Sequence, residues 1–308
     1  MSDGPKKCAI IAVIGAPNAG KSSLVNRLVG AKVSIVTHKV QTTRARVRGV
    51  AIEGDAQLVF IDTPGIFAPR RRLDRAMVRA AWESLDGADA ILMTIDAAEH
   101  AEPSLKSKSV ADANAIIDVL KQRGVKTDLV VNKIDQLSKL KLLPLVQSLN
   151  ETGVFSETWL VSAKDGDGVS ALKAALAARA PEGPWMYPED QLSDISDRLM
   201  AAEATREKIY LRLHEELPYQ TAVETTKWGR TAKGELRIEQ TIYVSRESHR
   251  PIVLGKGGQT LKALGSAARA ELSALTGEPV HLFLEVKVKE NWTDDPARYR
   301  DIGLDFVE

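Results

Sequence analysis

The apolar run CAIIAVI (8–14) leads without a break into GAPNAGKSS (15–23). No other feature limits the fold of the chain as much. A short apolar run, a glycine-rich turn carrying one lysine, and the helix-like SSLVNRLVG together read as strand, loop and helix. The spacing is G-x-x-x-x-G-K-S, on Gly15, Gly20, Lys21 and Ser22. Successive backbone N–H groups of such a loop point inward around a phosphate, and the next helix offers its positive N-terminus. Glycines at both ends allow torsions and a close approach that a side chain would block. Lys21 is placed to reach β- and γ-phosphates, and the Ser22 hydroxyl to ligate Mg²⁺. Ala16, Pro17, Asn18 and Ala19 inside the loop, with Ser23 after it, complete the expected nucleotide contacts.

Beyond this unit the chain alternates apolar runs and helix-like segments to about residue 180. Runs at 47–52, 57–61, 90–95, 128–132 and 158–162 read as strands; 20–29, 73–85, 108–122 and 168–179 read as helices. This alternation predicts an α/β fold with a doubly wound sheet. Only Glu53–Ala56 join the runs 47–52 and 57–61, too short for a helical crossover, so that pair is expected antiparallel and the sheet mixed. Three prolines in APEGPWMYPED (180–190) mark an interdomain linker. The domains are therefore expected at 1–180 and 194–308, with 181–193 between them. In the second, 194–217 reads as a helix with Leu199, Ala202, Ile209, Leu213 and Leu217 close to one stripe. A hairpin over 219–228 and 237–246, a helix over 259–275 and a strand over 281–289 follow, giving a small α+β domain of three strands backed by helices.

Three more motifs follow the loop in order. LVFIDTPG (58–65) delivers Asp62 at the carboxyl edge of a buried strand, where doubly wound folds place their ligands. Asp62 is expected to hold Mg²⁺ through water, with Thr63 and Pro64 in the same loop and the Gly65 N–H offered to a γ-phosphate. VVNKIDQ supplies Asn132, Lys133 and Asp135. A carboxylate at 135 accepts from guanine N1–H and its 2-amino group; adenine has neither donor at those positions and would leave the acceptor unpaired, a mismatch of roughly 10⁴. Asn132 is expected at the base edge and tied to the phosphate loop, with the Lys133 stem over the ring. LVSAKDG places Ser162, Ala163 and Lys164 where a backbone N–H meets guanine O6. Lys21, Asp62 and Gly65 are thus the candidate catalytic residues. Ile66 stands where a water-positioning glutamine follows this motif in signalling GTPases, and an aliphatic side chain cannot do that work.

In the second domain, IVLGKGGQT holds G-x-x-G as Gly255, Lys256, Gly257 and Gly258. In a KH domain such a loop clamps the backbone of about four single-stranded nucleotides. Residues 245–262 carry Arg246, Arg250, Lys256 and Lys262 against Glu247 alone, and Ile252, Val253 and Leu254 are candidates to face the bases. The order helix–strand–strand–loop–helix–strand fits the prokaryotic KH arrangement.

The four nucleotide motifs resemble the translation-factor-related GTPases, and QTTRARVRG (41–49) resembles the first switch loop of the Era/EngA/TrmE-like subgroup. With the proline linker, GKGG and VHLFLEVKVKENW, most of the chain resembles the Era family within it. The tract 97–115 departs from that family in local detail. The resemblance implies Thr43 as second Mg²⁺ ligand and catalytic participant, with Thr42 the other candidate, and potassium near the loop with Asn18 as a ligand. It also implies the 3′ end of small-subunit rRNA and the 30S subunit as partners, in a GTP-hydrolysing switch that assists 30S maturation. The competing expectation is a membrane-associated signalling GTPase, peripheral at the inner face of the cell membrane, whose C-terminal domain binds protein. Pro69-Arg70-Arg71-Arg72 reads as a solvated face or a contact to rRNA or membrane.

Composition excludes little more. Net charge is +1, divided as +3 over 1–190 and −2 over 191–308, so nucleic-acid binding rests on the local patch and not on bulk charge. One cysteine, Cys8, rules out an intramolecular disulfide framework and suits a reducing cytoplasm. No heptad or metal-cluster spacing is present, which points to a monomer without a cluster.

Overall fold

CAIIAVI lies in β1 (Lys7–Ile14), whose last four residues are fully buried because other strands flank it on both sides. The structure, a computed structural model, describes residues 5–103, 107–214, 216–290, 292, 295–296, 299 and 302–306. Two units are formed: Met1–Val36, Thr43–Asp194 and Gly303–Glu308 in one, Thr37–Thr42 and Ile195–Ile302 in the other.

The first unit carries α1 (Lys21–Val29), β2 (Val47–Glu53), β3 (Ala56–Asp62), α2 (Arg72–Glu83), β4 (Ala90–Asp96), α3 (Ala97–Ala101), α4 (Lys108–Arg123), β5 (Thr127–Asn132), α5 (Lys139–Asn150), β6 (Phe155–Leu160) and α6 (Val169–Arg179). Its sheet runs β2-β3-β1-β4-β5-β6. Only β2 is antiparallel to its neighbour, as its short connection requires, so the sheet is mixed. Strands β3 and β5 are buried at every residue, the continuous apolar habit of parallel strands covered on both faces. Helices α1 and α6 pack together and against β2 and β3, while α2, α4 and α5 share a core with β4 and β5 through Met93, Ile117, Leu129 and Leu149.

Three local differences from the sequence expectations have physical causes. No element is expected over 139–150, yet α5 forms there, with Pro144 inside it and Leu140 and Leu143 exposed at 86% and 73%. Those features hide its apolar face. Strand β6 starts at Phe155, earlier than expected, because an edge strand with half-exposed polar residues lacks the apolar run of its neighbours. The tract 97–115 forms α3 and the first half of α4, capped by Asp96 and Ser107; residues 104–106 lie outside the described residues. The arginine run leads into α2, where the Asp74 carboxylate accepts the Arg70 and Arg71 N–H groups. The proline-rich segment is anchored, not free: Pro181 O accepts Cys8 N–H, Gln57 bonds Met186 and Tyr187, and Leu192 O accepts Val50 N–H.

The second unit holds α7 (Asp197–Arg212), β7 (Thr221–Arg230), β8 (Leu236–Val244), α8 (Arg250–Leu254), α9 (Gln259–Thr276) and β9 (Val280–Val288). Strand β8 is central, antiparallel to β7 and parallel to β9. Helix α7 ends at Arg212 rather than 217. Leu213 is extended, and Leu217–Gln220 form a separate 3₁₀ turn whose Pro218 has no N–H with which to continue an α-helix. Ala202, Ile209, Leu213 and Leu217 are nevertheless all buried. In α9 the stripe holds at Leu264, Ala268 and Leu272 and ends before Leu275, which is exposed. Residues 37–42 belong to this unit. Lys39 Nζ donates to Tyr210 O, in the last turn of α7, and to Leu213 O (2.6 Å) just past its end, and Arg206 donates to Thr42 O at 2.5 Å.

Leu264 is fully buried among Ile209, Ile242, Val253 and Val286. Leu264→Ala is expected to lower stability by about 3 kcal/mol, read as a shift of the urea-unfolding midpoint.

Candidate nucleotide and RNA sites

The loop between β1 and α1 needs its glycines for measurable reasons. Gly15 has φ 147°, and a Cβ there would lie 2.3 Å from Thr94 O. Gly20 has φ 92°, and its Cβ would lie 2.2 Å from Asn132 Nδ2. Asn18 takes the left-handed region at φ 64°, which asparagine tolerates better than most residues, and is exposed. Gly65 packs so closely on Pro17 that a Cβ would approach to 2.9 Å, and Ile66 N–H bonds Gly15 O at 3.1 Å. The Ile66 side chain is buried in the core, away from any water-positioning task.

Lys21 is buried at 6% exposure and donates to Gly15 O (3.1 Å) and Ala16 O (2.9 Å). Burial pushes its ammonium down to about 8, although Asp62 pulls it up. Asp62, at the end of β3, is fully buried. Burial raises its pKa more than Ser22, Ser34 and Lys21 lower it, and neither carboxylate oxygen has a hydrogen-bond partner among the described residues. Ser22 Oγ and Thr43 Oγ1 lie 2.9 Å apart. A buried, unsatisfied carboxylate with two nearby hydroxyls is a hard oxygen set that fits Mg²⁺. Thr43 is the residue drawn to Ser22, whereas the Thr42 hydroxyl bonds Lys39 O and Thr37. Thr63, fully buried, bonds Val13 O and holds the 62–65 loop to β1.

On the other side of the loop, the Asn132 amide donates to Ala19 O and accepts Ala163 N–H, each at 3.0 Å. At 1% exposure it joins the phosphate loop to the 162–164 loop, the tie expected from its motif. Ala163 N–H is consequently engaged within the protein, which leaves Lys164 N–H as the next donor along that loop. Ser162 Oγ donates to Asp135 Oδ1 at 2.8 Å and so aims an exposed carboxylate. A cleft of about 580 Å³ opens here, lined by Gly20, Lys133, Asp135, Ala163 and Lys164, with Arg27 and Lys32 at its rim. Sequence reasoning misses Arg27, whose guanidinium bonds Ala163 O at 3.0 Å and also Lys164 O. Its position on α1, one turn past the loop, carries no motif.

In the second unit Gly255, Gly257 and Gly258 all have positive φ (72°, 58° and 78°), and α9 starts directly after them. A Cβ on Gly255 would strike Thr260, so that glycine keeps the turn tight. Arg246, Arg250, Lys256 and Lys262 are exposed, as is Ile252 at 54%. Val253 is fully buried and Leu254 packs on the same core, so of the three apolar candidates only Ile252 is free to meet a base. The reason is that residues 250–254 form the short helix α8, which turns Val253 inward.

The family model described as 50S ribosome-binding GTPase matches residues 10–133, and the KH domain model matches 216–293. GTPase Era of Afipia carboxidovorans is 55% identical over 302 residues, covering 98% of this chain and 96% of the relative. GTPase Era of Caulobacter vibrioides is 55% identical over 315 residues, covering 99% of each. Among solved structures, Era in complex with MgGDPNP and nucleotides 1506–1542 of 16S ribosomal RNA is 38% identical, with a TM-score of 0.89 over 97% of this chain and 99% of that one. A single-substitution variant of Aquifex aeolicus Era bound to GDP·AlF4⁻ is 38% identical, with a TM-score of 0.88 over 96% and 99%. A P-loop GTPase unit and a KH unit in one chain, matched from end to end by these relatives, make this protein a member of the Era family of GTPases.

Proposed function

We propose that the chain is a GTP-hydrolysing switch that binds the 3′ region of 16S rRNA through its KH unit and assists 30S biogenesis. The observation that carries this reading is the joint presence of the buried Lys21–Asp62 cradle and an exposed basic G-x-x-G loop. Full-length likeness to an Era bound to MgGDPNP and 16S rRNA nucleotides supports the choice of ligands.

Lys21 leaves its loop carbonyls for the β- and γ-phosphates. Ser22, Thr43 and Asp62 would hold Mg²⁺, which would supply positive charge to the phosphates. Gly65 N–H meets the γ-phosphate, Asp135 reads guanine N1–H and the 2-amino group, and Lys164 N–H meets O6. Thr43 lies in the segment that resembles a first switch loop. GTP and GDP then set this segment differently, which couples nucleotide state to the RNA surface. With Ile66 buried, no side chain at that position orients water, so hydrolysis is slow, well below ~1 s⁻¹ without a partner. Potassium held by the exposed Asn18 would supply positive charge beside the phosphates. The alternative of a membrane-associated GTPase with a protein-binding C-terminal domain is not favoured, since the second unit matches the KH model. No helix among the described residues is long and apolar enough to cross a membrane.

Three outcomes test this reading. Asp135→Asn exchanges an acceptor for a donor facing the 2-position of the purine. GTP affinity should fall by about 10³ or more and XTP should become the better ligand in a competition titration. Lys256→Ala with Gly257→Asp should weaken binding of a 16S 3′-tail oligonucleotide about tenfold or more and flatten its salt dependence; unchanged RNA affinity would exclude the KH role. Single-turnover hydrolysis at equal ionic strength should be faster in KCl than in NaCl, and Asn18→Ala should erase the difference.

A further inference from the structure

Asp96 ends β4, directly beside Asn132 at the end of β5 in the parallel register. It precedes the tract 97–115 and belongs to none of the nucleotide motifs. Its carboxylate is nevertheless buried, with the side chain 8% exposed, and it bonds Lys133 Nζ at 2.5 Å. The other oxygen accepts Ala98 N–H (3.0 Å) and Glu99 N–H (3.3 Å), which caps α3. Lys133 itself is held at φ 64°, a left-handed conformation that costs a side-chain-bearing residue roughly 1 kcal/mol. Its Cε lies 3.8 Å from where a Cβ on Gly20 would sit, so the stem runs past the last glycine of the phosphate loop.

We propose that Asp96 is a positioning residue of the guanine site: it anchors the Lys133 ammonium so that the methylene stem is laid out in advance over the purine ring. A free lysine carries about 2 kcal/mol of rotamer entropy and a strongly hydrated charge. Fixing and neutralising the tip beforehand removes both obstacles, and the ring face meets hydrocarbon. The strand register supplies the geometry, since neighbouring parallel strands lie about 4.8 Å apart and Asp96 is one step from Lys133 across that gap. The α3 cap keeps the carboxylate from rotating away. This inference rests on the guanine-site reading above.

A double-mutant cycle with a fluorescent GDP analogue tests it. Asp96→Asn keeps an oxygen for the two α3 amides and removes the charge. It should bind the analogue about tenfold more weakly, mostly through faster dissociation. Lys133→Met should lose as much or more, and Asp96→Asn in the Lys133→Met background should cost nothing further. Additive losses, or an Asp96→Asn variant with wild-type affinity, would overturn the proposal. A purely structural cap would give additive losses together with a lower urea-unfolding midpoint in both backgrounds. Lys21→Ala separates the two levels: if it binds as wild type, the nucleotide-site reading itself fails. If it loses binding while Asp96→Asn does not, only the Asp96 assignment fails.

Discussion

The burial of two opposite charges, Lys21 and Asp62, at the carboxyl edge of the sheet is the constraint on which the nucleotide unit depends. Each is held out of water by continuous apolar strands, β1 and β3, that pair in parallel register. Burial alone would favour neutral forms of both, as their displaced pKa values record. Such an arrangement is a standing cost to the fold, because an ionised group without full compensation disfavours the folded chain. On the proposed reading, a phosphate for the lysine and a cation for the carboxylate would remove that cost. The tight loop makes this possible: Gly15, Gly20 and Gly65 each stand where a side chain would collide with neighbouring atoms. The binding energy of the nucleotide is therefore tied to the same atoms that define the fold of the loop.

The guanine side is built by a different device. Asn132 is buried and bonded to both the phosphate loop and the 162–164 loop, so three segments far apart in sequence share one amide. Asp135 and Lys133 then project from a turn whose backbone is set by that amide and by the left-handed Lys133. The phosphate loop, the Asn132 turn and the 162–164 loop are mechanically one structure. In the second unit the positive-φ glycines of the KH loop stand at the start of α9, and the basic side chains around them remain exposed.

Much of this is legible in the sequence because the chemistry is local. The loop glycines, Asp62, Asp135 and the G-x-x-G turn each carry their spacing within one short motif. The mixed sheet follows from one four-residue connection. What the sequence hides depends on partners distant in the chain. Asn132 and Ala163, 31 positions apart, bond each other, a link that neither motif reveals alone. Val253 faces the core because residues 250–254 turn as a helix, a choice that no periodicity over five residues reveals. Helix α5 is masked by Pro144 and exposed leucines. Asp96 gains its place only when β4 and β5 are set in register.

The most direct test of the central claim is the Mg²⁺ dependence of binding of a non-hydrolysable GTP analogue, in wild type and in Asp62→Asn. If the buried carboxylate is kept for the cation, wild type loses affinity by about tenfold or more when Mg²⁺ is chelated, and Asp62→Asn binds equally with and without it. An Asp62→Asn variant that keeps the full wild-type Mg²⁺ dependence would contradict the account.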